Sequence, residues 1–594
     1  MKKHLSILFL PVFLFLTLSA FSEETTSALS LERTDTFYDS LKAVSERNWL
    51  LKPLYVSLFS ADSLDAVIQV EDSTYESWRG KVIQTINIFN QDVFSVENNE
   101  WQIPAYNLVA GIGNGVHRNT REWVVRNNLF FHEGDYFVPE TLRFNLIYLR
   151  KLDYLSEAII VVVDSPDAVD AVDIYVVIRD KFAINPGGHF KSLSRFNLTI
   201  DDQNFLGWGR QLRNTWHIDP ENQGSVGWES LYKIPNIYGT FIGAEFNWAD
   251  LPGYTWKSAT LNRPFLYPIK IVAGGAEIGE TWVRPPRDSI AVDKIELGGW
   301  SGYCFHGKSL PAIQYSYVAL ALDKTWFRKR PEVSPDSGKL WHENILTVGS
   351  LAITQSDYRS LPYVYSLLKN KDIPVGYIYE IHFGKEFSEF RNRSFLGIHG
   401  AWGNVLANGG YLYLKGGIES YIYHDATEQG VFLLEPLYIT PLRTIGKVIT
   451  RTFYRGRIIL GFERFPGETL LLSTDPYFRG NLDMTGRQLV ALGMEKDYLA
   501  PWLVLGFNVT IFGFIDGALI TNALFSPPDE HLLFTEGLGF RLHNVRLIWK
   551  SVEFHIAWNQ RMGHFGTPSF ALTVKAPLIL EDFEGRKPSP YFFR

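Results

Sequence analysis

The chain has 594 residues, a formal net charge of −7, 15% aromatic residues, 48 glycines and a single cysteine. So mild a charge argues against electrostatic capture of nucleic acid, and a lone Cys304 excludes an intramolecular disulfide framework and any multi-cysteine metal site. The length accommodates several soluble domains, or one small domain joined to one large β structure, and the aromatic and glycine content favours the second.

The N-terminus places Lys2 and Lys3 ahead of an apolar run from Leu5 to Leu18, followed by the small residues Ser19, Ala20 and Ser22. This order reads as a cleavable secretory signal over residues 1–22. The run is shorter than the ~20 residues a spanning helix needs, and no later stretch is continuously apolar at that length. No cysteine lies near the cleavage region, so a lipoprotein anchor is not indicated. Residues 23–80 read as an N-terminal segment that is partly helical, with Phe37, Leu41 and Val44 at helical spacing in Thr34–Arg47.

Residues 81–186 change to a strand, helix, helix, strand, strand order. Val82, Ile86 and Ile88 lie in a β-rich run, and Arg121–Phe131 has helix-like spacing. Gly134-Asp135 breaks the chain before Pro139, which suits the first turn of a helix running to about Tyr154 with Leu142, Leu146, Leu149 and Leu152 on one face. Two strands follow, Glu157–Val163 and Val169–Arg179, joined by Asp164-Ser165-Pro166-Asp167.

From Gly187 to the C-terminus, alternation with a period of two dominates. Ile458, Leu460 and Phe462 oppose Arg455, Arg457 and Glu463; Val552, Phe554, Ile556 and Trp558 oppose Glu553, His555 and Asn559. Long strands with one apolar and one polar parity suit a transmembrane barrel with a polar interior. Lipid tolerates no open sheet edge, so closure is required. At ~9–11 residues per spanning strand, the region accommodates about sixteen antiparallel strands.

Three segments within residues 187–594 stand out. Phe196, Leu198 and Ile200 alternate ahead of the hairpin residues Asn204, Phe205, Leu206, Gly207 and Gly209; the glycines supply positive φ or close approach, and no helix follows to make a phosphate loop. The stretch DPYFRGN carries Arg479-Gly480, and two acids follow on strands, Glu495 and Asp516. Phe570, Leu572 and Val574 read as a last strand closed by Pro577, with an extension behind it ending Phe592-Phe593-Arg594.

Together the 81–186 pattern and these three motifs resemble the BamA/TamA superfamily of POTRA-plus-barrel outer-membrane proteins, the bacterial surface antigen type, with a single POTRA domain. The resemblance implies a signal peptide (1–22), a periplasmic segment (23–80), a POTRA domain (81–186) and an outer-membrane barrel of sixteen strands with a C-terminal extension (187–594). It implies that Arg479 and Gly480 form the tip of a loop folded into the lumen, with Glu495 and Asp516 as the arginine's partners. Asn481 departs from the aromatic residue common after that pair. The strands of Phe196–Ile200 and Phe570–Val574 would meet at a weakly closed seam.

The implied activity is non-enzymatic: inserting or transporting polypeptides through a POTRA-gated barrel in the bacterial outer membrane. Implied partners are outer-membrane lipid, unfolded or periplasmic polypeptides engaged by the POTRA edge, and periplasmic accessory proteins. A lipid or polysaccharide pore of the same architecture is an alternative, and an outer-membrane barrel enzyme a second. No G-x-S-x-G, H-E-x-x-H or Walker motif is present, GIGNG at 111–115 reads as a loop, and no cofactor or metal is expected.

Overall fold

The structure, a computed structural model, describes residues 75–91 and, apart from short intervals, 118–593. The expected signal, nearly all of the 23–80 segment and the 111–115 loop lie outside the described residues.

The first unit is a small α/β layer built from β1 (Val82–Gln91), α1 (Glu122–Arg126), α2 (Pro139–Lys151), β2 (Leu155–Asp164) and β3 (Ala171–Asp180). β3 is central, parallel to β1 and antiparallel to β2. Its Val172, Ile174 and Val176 are fully buried, and they pack with Ile83 and Ile86 of β1 against Val124, Leu142 and Leu149 of the helices. α2 begins with Pro139 in its first turn and ends on Arg150 and Lys151, an arrangement that uses proline's fixed φ and complements the helix dipole.

α1 is shorter than the helix expected over Arg121–Phe131. Side chains stop it: Asn128 Nδ2 donates back to the Val124 carbonyl (2.8 Å), Asn145 Nδ2 donates to the Asn128 carbonyl (2.8 Å), and Asn145 Oδ1 accepts from Phe130 N (3.1 Å). Amide side chains thus satisfy backbone groups that a longer helix would have used.

The second unit is one large antiparallel sheet whose strand order is that of a closed barrel. Two expectations are corrected here. The sheet begins before Phe196, with β4 (Ile184–Phe190), which pairs with β5 (Phe196–Asp202) from Ile184 opposite Asp202 to Phe190 opposite Phe196. Pro186, Gly187 and Gly188 in the middle of β4 remove the alternation by which a strand is recognised. Among the described residues the strand order runs through twenty-one strand segments, more than the about sixteen expected; one of them, the three-residue Arg443–Ile445, continues along Val448–Phe462 the pairing of Ala426–Ile439 rather than adding a strand to the ring. Tight turns rather than short strands make the difference: only two residues separate Gly243–Leu251 from Tyr254–Arg263, and two separate Tyr411–Tyr423 from Ala426–Ile439.

The two faces of this sheet are chemically inverted relative to a soluble protein. On Lys371–Ser388, Glu380, His382 and Glu386 are buried while Tyr379, Ile381, Phe383 and Phe387 are exposed. The same division places Glu495 and Asp497 inside and Leu492 outside, and Glu553 and His555 inside with Trp558 outside. Alternate side chains on a strand point to opposite faces, so the sequence's two parities become an inner polar and an outer apolar surface.

The small unit is joined to the sheet by two turns. Asn204 Nδ2 donates to Thr120 Oγ1 (2.9 Å), its Oδ1 accepts from Gly209 N (2.7 Å), and Arg121 N donates to the Gly207 carbonyl (3.0 Å). Gly207 has φ +73°, and a Cβ there would lie 2.4 Å from the Asn119 carbonyl oxygen; one at Gly209 (φ +63°) would lie 2.8 Å from Val124. At the second turn, Asn236 Nδ2 donates to the Asn127 carbonyl (2.9 Å) and Phe241 packs against Phe130 and Tyr148.

Candidate functional site

Five neighbouring strands, Val448–Phe462, Gln488–Val504, Phe507–Thr521, Leu532–His543 and Val552–Arg561, carry inward charges at matching heights. The register sets Gly493 opposite both Arg455 and Asp516, and Arg541 opposite Glu553. A Cβ on Gly493 would sit 2.6 Å from Asp516 Oδ1 and 2.7 Å from Arg455 Nε, so glycine leaves the room in which those two side chains meet.

A loop enters this space. After the turn Leu472–Thr474, Asp475 Oδ1 accepts from Tyr477 N (2.8 Å), and the buried Leu472 and Phe478 seat the loop on a cluster with Leu489, Ile520 and Leu533. Arg479 follows. Its Nε donates to Asp516 Oδ2 (2.8 Å) and one Nη to Asp516 Oδ1 (3.0 Å), while the other Nη donates to Glu495. Its guanidinium also lies 3.6 Å from the centre of the Phe514 ring. A Cβ on Gly480 would stand 2.2 Å from the Phe478 ring and 2.6 Å from Thr535 Oγ1, so only glycine lets the loop approach the wall this closely.

All four expected loop residues, Arg479, Gly480, Glu495 and Asp516, therefore come together; Asn481 lies outside the described residues. Four of the seven charged groups that meet here, Arg455, Asp497, Arg541 and Glu553, were not singled out from the sequence. Arg541, only 1% exposed, donates to Glu495 (2.6 Å), Asp497 (2.9 Å) and Glu553 (2.7 Å), with Phe512 4.1 Å from its guanidinium. Arg455 holds Asp516 from the other side at 3.1 Å. Asp497 carried a usable signal, the same parity as Glu495; Arg541 gave none until register was known. Three arginines against four carboxylates form a locked charge network, whose planar guanidinium donors fix carboxylate orientation. Among the described residues, no group of three or more His, Cys, Asp or Glu is placed to hold a metal ion.

The hairpin residues Asn204, Phe205, Leu206, Gly207 and Gly209 lie at the joint with the small unit, as described above. The seam residues do not meet as expected. Phe196, Leu198 and Ile200 sit on β5, which is flanked by β4 and by Gln211–Ile218. In the strand order β4, rather than β5, neighbours the last strand Pro568–Thr573, which carries Phe570 and Leu572; Val574 lies outside the described residues. Cysteine pairs between Ile184–Phe190 and Pro568–Thr573, with Cys304 replaced, should crosslink in some register. Pairs between Phe196–Ile200 and Phe570–Leu572 should not, because a disulfide needs Cα atoms within about 7 Å and two strand steps span about 10 Å. Non-reducing gels read the result, and the reverse pattern would put β5 at the seam.

A second ionic patch surrounds Lys151 at the end of α2. Burial opposes its charge, but Glu584, Tyr358 and Asp582 outweigh that and hold its pKa above the ordinary lysine value.

No family model and no curated protein matches the sequence. Among solved structures the chain is similar to CdiB from Escherichia coli (10% identity, 92% of this chain and 98% of that one, TM-score 0.40). It is also similar to CdiB from Acinetobacter baumannii (9%, 92% and 98%, 0.36) and to BamA from Haemophilus ducreyi lacking POTRA domains 1–3 (12%, 82% and 84%, 0.34).

Proposed function

We propose that the chain forms a closed transmembrane β-barrel in a bacterial outer membrane, with the small unit acting in the periplasm as a single POTRA domain, and that it inserts or transports polypeptides. One observation carries the membrane reading. Register aligns Val318, Leu351, Ile381, Ile398 and Ile418 side by side on five successive strands, each exposed on the outer face. A continuous aliphatic row of this kind, backed by a charged interior, belongs in hydrocarbon rather than water.

The polypeptide reading rests on the small sheet. Its order β1-β3-β2 leaves β2 at an edge, and Ile159, Val161 and Val163 of that strand are exposed on the face opposite the helices. An edge with an apolar face can take an added strand through backbone groups, without demanding a particular sequence. Lipid surrounds the barrel in this reading, and accessory proteins would dock on the periplasmic side. Arg479, Glu495 and Asp516, with Arg541, brace the wall through the folded-in loop and perform no chemistry.

Fractionation and crosslinking test this. The mature protein should sediment with outer membranes and shift on gels between unheated and heated samples, and photocrosslinkers at Ile159 and Val161 should trap polypeptides. Trapped lipid or polysaccharide would instead support the pore alternative. Recovery as a soluble protein without a heat shift would refute the barrel.

A further inference from the structure

Beyond the strand Pro568–Thr573, residues 580–591 and 593 run through the interior of the sheet. Phe583 is fully buried among Phe265, Tyr317, Tyr411 and Tyr413. Gly585 N donates to the Tyr315 hydroxyl (3.0 Å), and a Cβ on Gly585 would lie 2.7 Å from the Phe265 ring. Lys587 pairs with Asp323 (2.7 Å) and with Glu277, and Glu581 takes Lys415 (2.5 Å). Tyr591 accepts from Arg457 (3.0 Å), and the buried Phe593 joins the cluster that seats the Arg479 loop, with Arg464 4.2 Å from its ring. The tail thus touches the wall from Val272–Val283 round to Val448–Phe462.

We propose that residues 580–593 are a removable plug of the barrel, latched to the small unit through Lys151; this rests on the membrane-barrel reading above. Two features distinguish a plug from a permanent filling. Most wall charges keep partners of their own when the tail is subtracted: Lys415 has Glu435 (3.5 Å), Arg457 has Glu435 and Asp475 (both 2.9 Å), and Glu380 has the Tyr317 hydroxyl, while Asp323 and Glu277, which lose Lys587, are partly exposed. Withdrawal therefore strands few buried charges, unlike removal of an arginine from the neighbouring cluster. Beside Lys587 the tail also leaves a cavity of 480 Å³ lined by Gly243, Gly275, Gly298 and Gly299.

The latch belongs to the small unit. Lys151, at the last residue of α2, holds Asp582 (3.0 Å) and Glu584 (2.7 Å), flanking the buried Phe583. A polypeptide that moves α2 on binding the small unit pulls Lys151 from these carboxylates, and the plug loses its fixed end.

Planar-bilayer conductance and trypsin protection test the plug on the full chain, on a chain lacking residues 580–594, and on Lys151→Glu. The truncated barrel should conduct several-fold more than the full chain. In the full chain in liposomes, the bond after Arg586 should resist trypsin, which cannot enter the barrel; in Lys151→Glu it should be cut. A truncated protein that retains its heat shift but conducts no better than the full chain overturns the plug and leaves the barrel standing. So does rapid cleavage after Arg586 in the folded full chain, a readout that does not depend on the truncated protein folding. Failure of every form to insert into membranes would refute the barrel itself, and the plug with it.

Discussion

Arg541→Ala is expected to be the most damaging single change in the barrel wall. Arg541 is 1% exposed and is shared by three carboxylates, Glu495, Asp497 and Glu553, each itself buried. Removing one partner of a buried pair costs about 3–5 kcal/mol, because the remaining charge is left in a poorly solvating place. Here Asp497 and Glu553 both lose their arginine, and Glu495, still held by Arg479, stays close to them, so the carboxylates repel one another besides. Arg479→Ala should cost less, since Arg455 still holds Asp516 and Arg541 still holds Glu495. Arg479→Lys should recover only part of the loss, because an ammonium lacks the planar fork that spans both acids. The midpoint of the heat-induced gel shift orders the variants, and proteolysis of the 472–480 loop reports its seating. Equal midpoints for Arg541→Ala and the parent protein would mean that water reaches the cluster freely.

Three of the seven charged groups in this cluster were legible before the structure, and a fourth was within reach. Arg479, Glu495 and Asp516 stood out through a resemblance, and Asp497 could have followed from its parity with Glu495. Arg541 could not, because its partners lie 44 and 46 residues away on one strand and 12 on another, and only the pairing of strands joins them. The inner and outer faces were legible from alternation alone, as on Val552–Arg561, since a period of two survives any error in where a strand begins. The seam was misplaced for a local reason: Pro186, Gly187 and Gly188 erase the alternation in β4, so the first strand that showed itself in sequence was the second in the sheet. The course of the C-terminal extension was open for a related reason. Phe583, Lys587, Tyr591 and Phe593 follow no strand or helix period, and an extended chain fitted to a wall draws its order from that wall.

Ile398→Arg separates the membrane reading from any soluble one, because the two environments give it different costs. Ile398 lies within Asn392–Val405, opposite Ile381 on one neighbour and Ile418 on the other, and all three are about half exposed on the outer face. If that face met water, replacing an exposed isoleucine by arginine would leave stability within about 0.5 kcal/mol, and would break up an apolar patch. If it meets lipid, an arginine near the bilayer midplane costs about 2–4 kcal/mol, falling toward zero at the interfaces. The lipid outcome is expected: Ile398→Arg should lower the unfolding midpoint in liposomes and slow insertion, while Ile398→Leu, which keeps the apolar surface, should do neither. Arginine placed in turn at Leu351, Ile381 and Ile418 should act in the same direction, since the register puts them in one row. Wild-type insertion and unfolding across that whole series would mean that the row faces water, and the barrel would then have to be read as a soluble sheet with an unexplained charged interior.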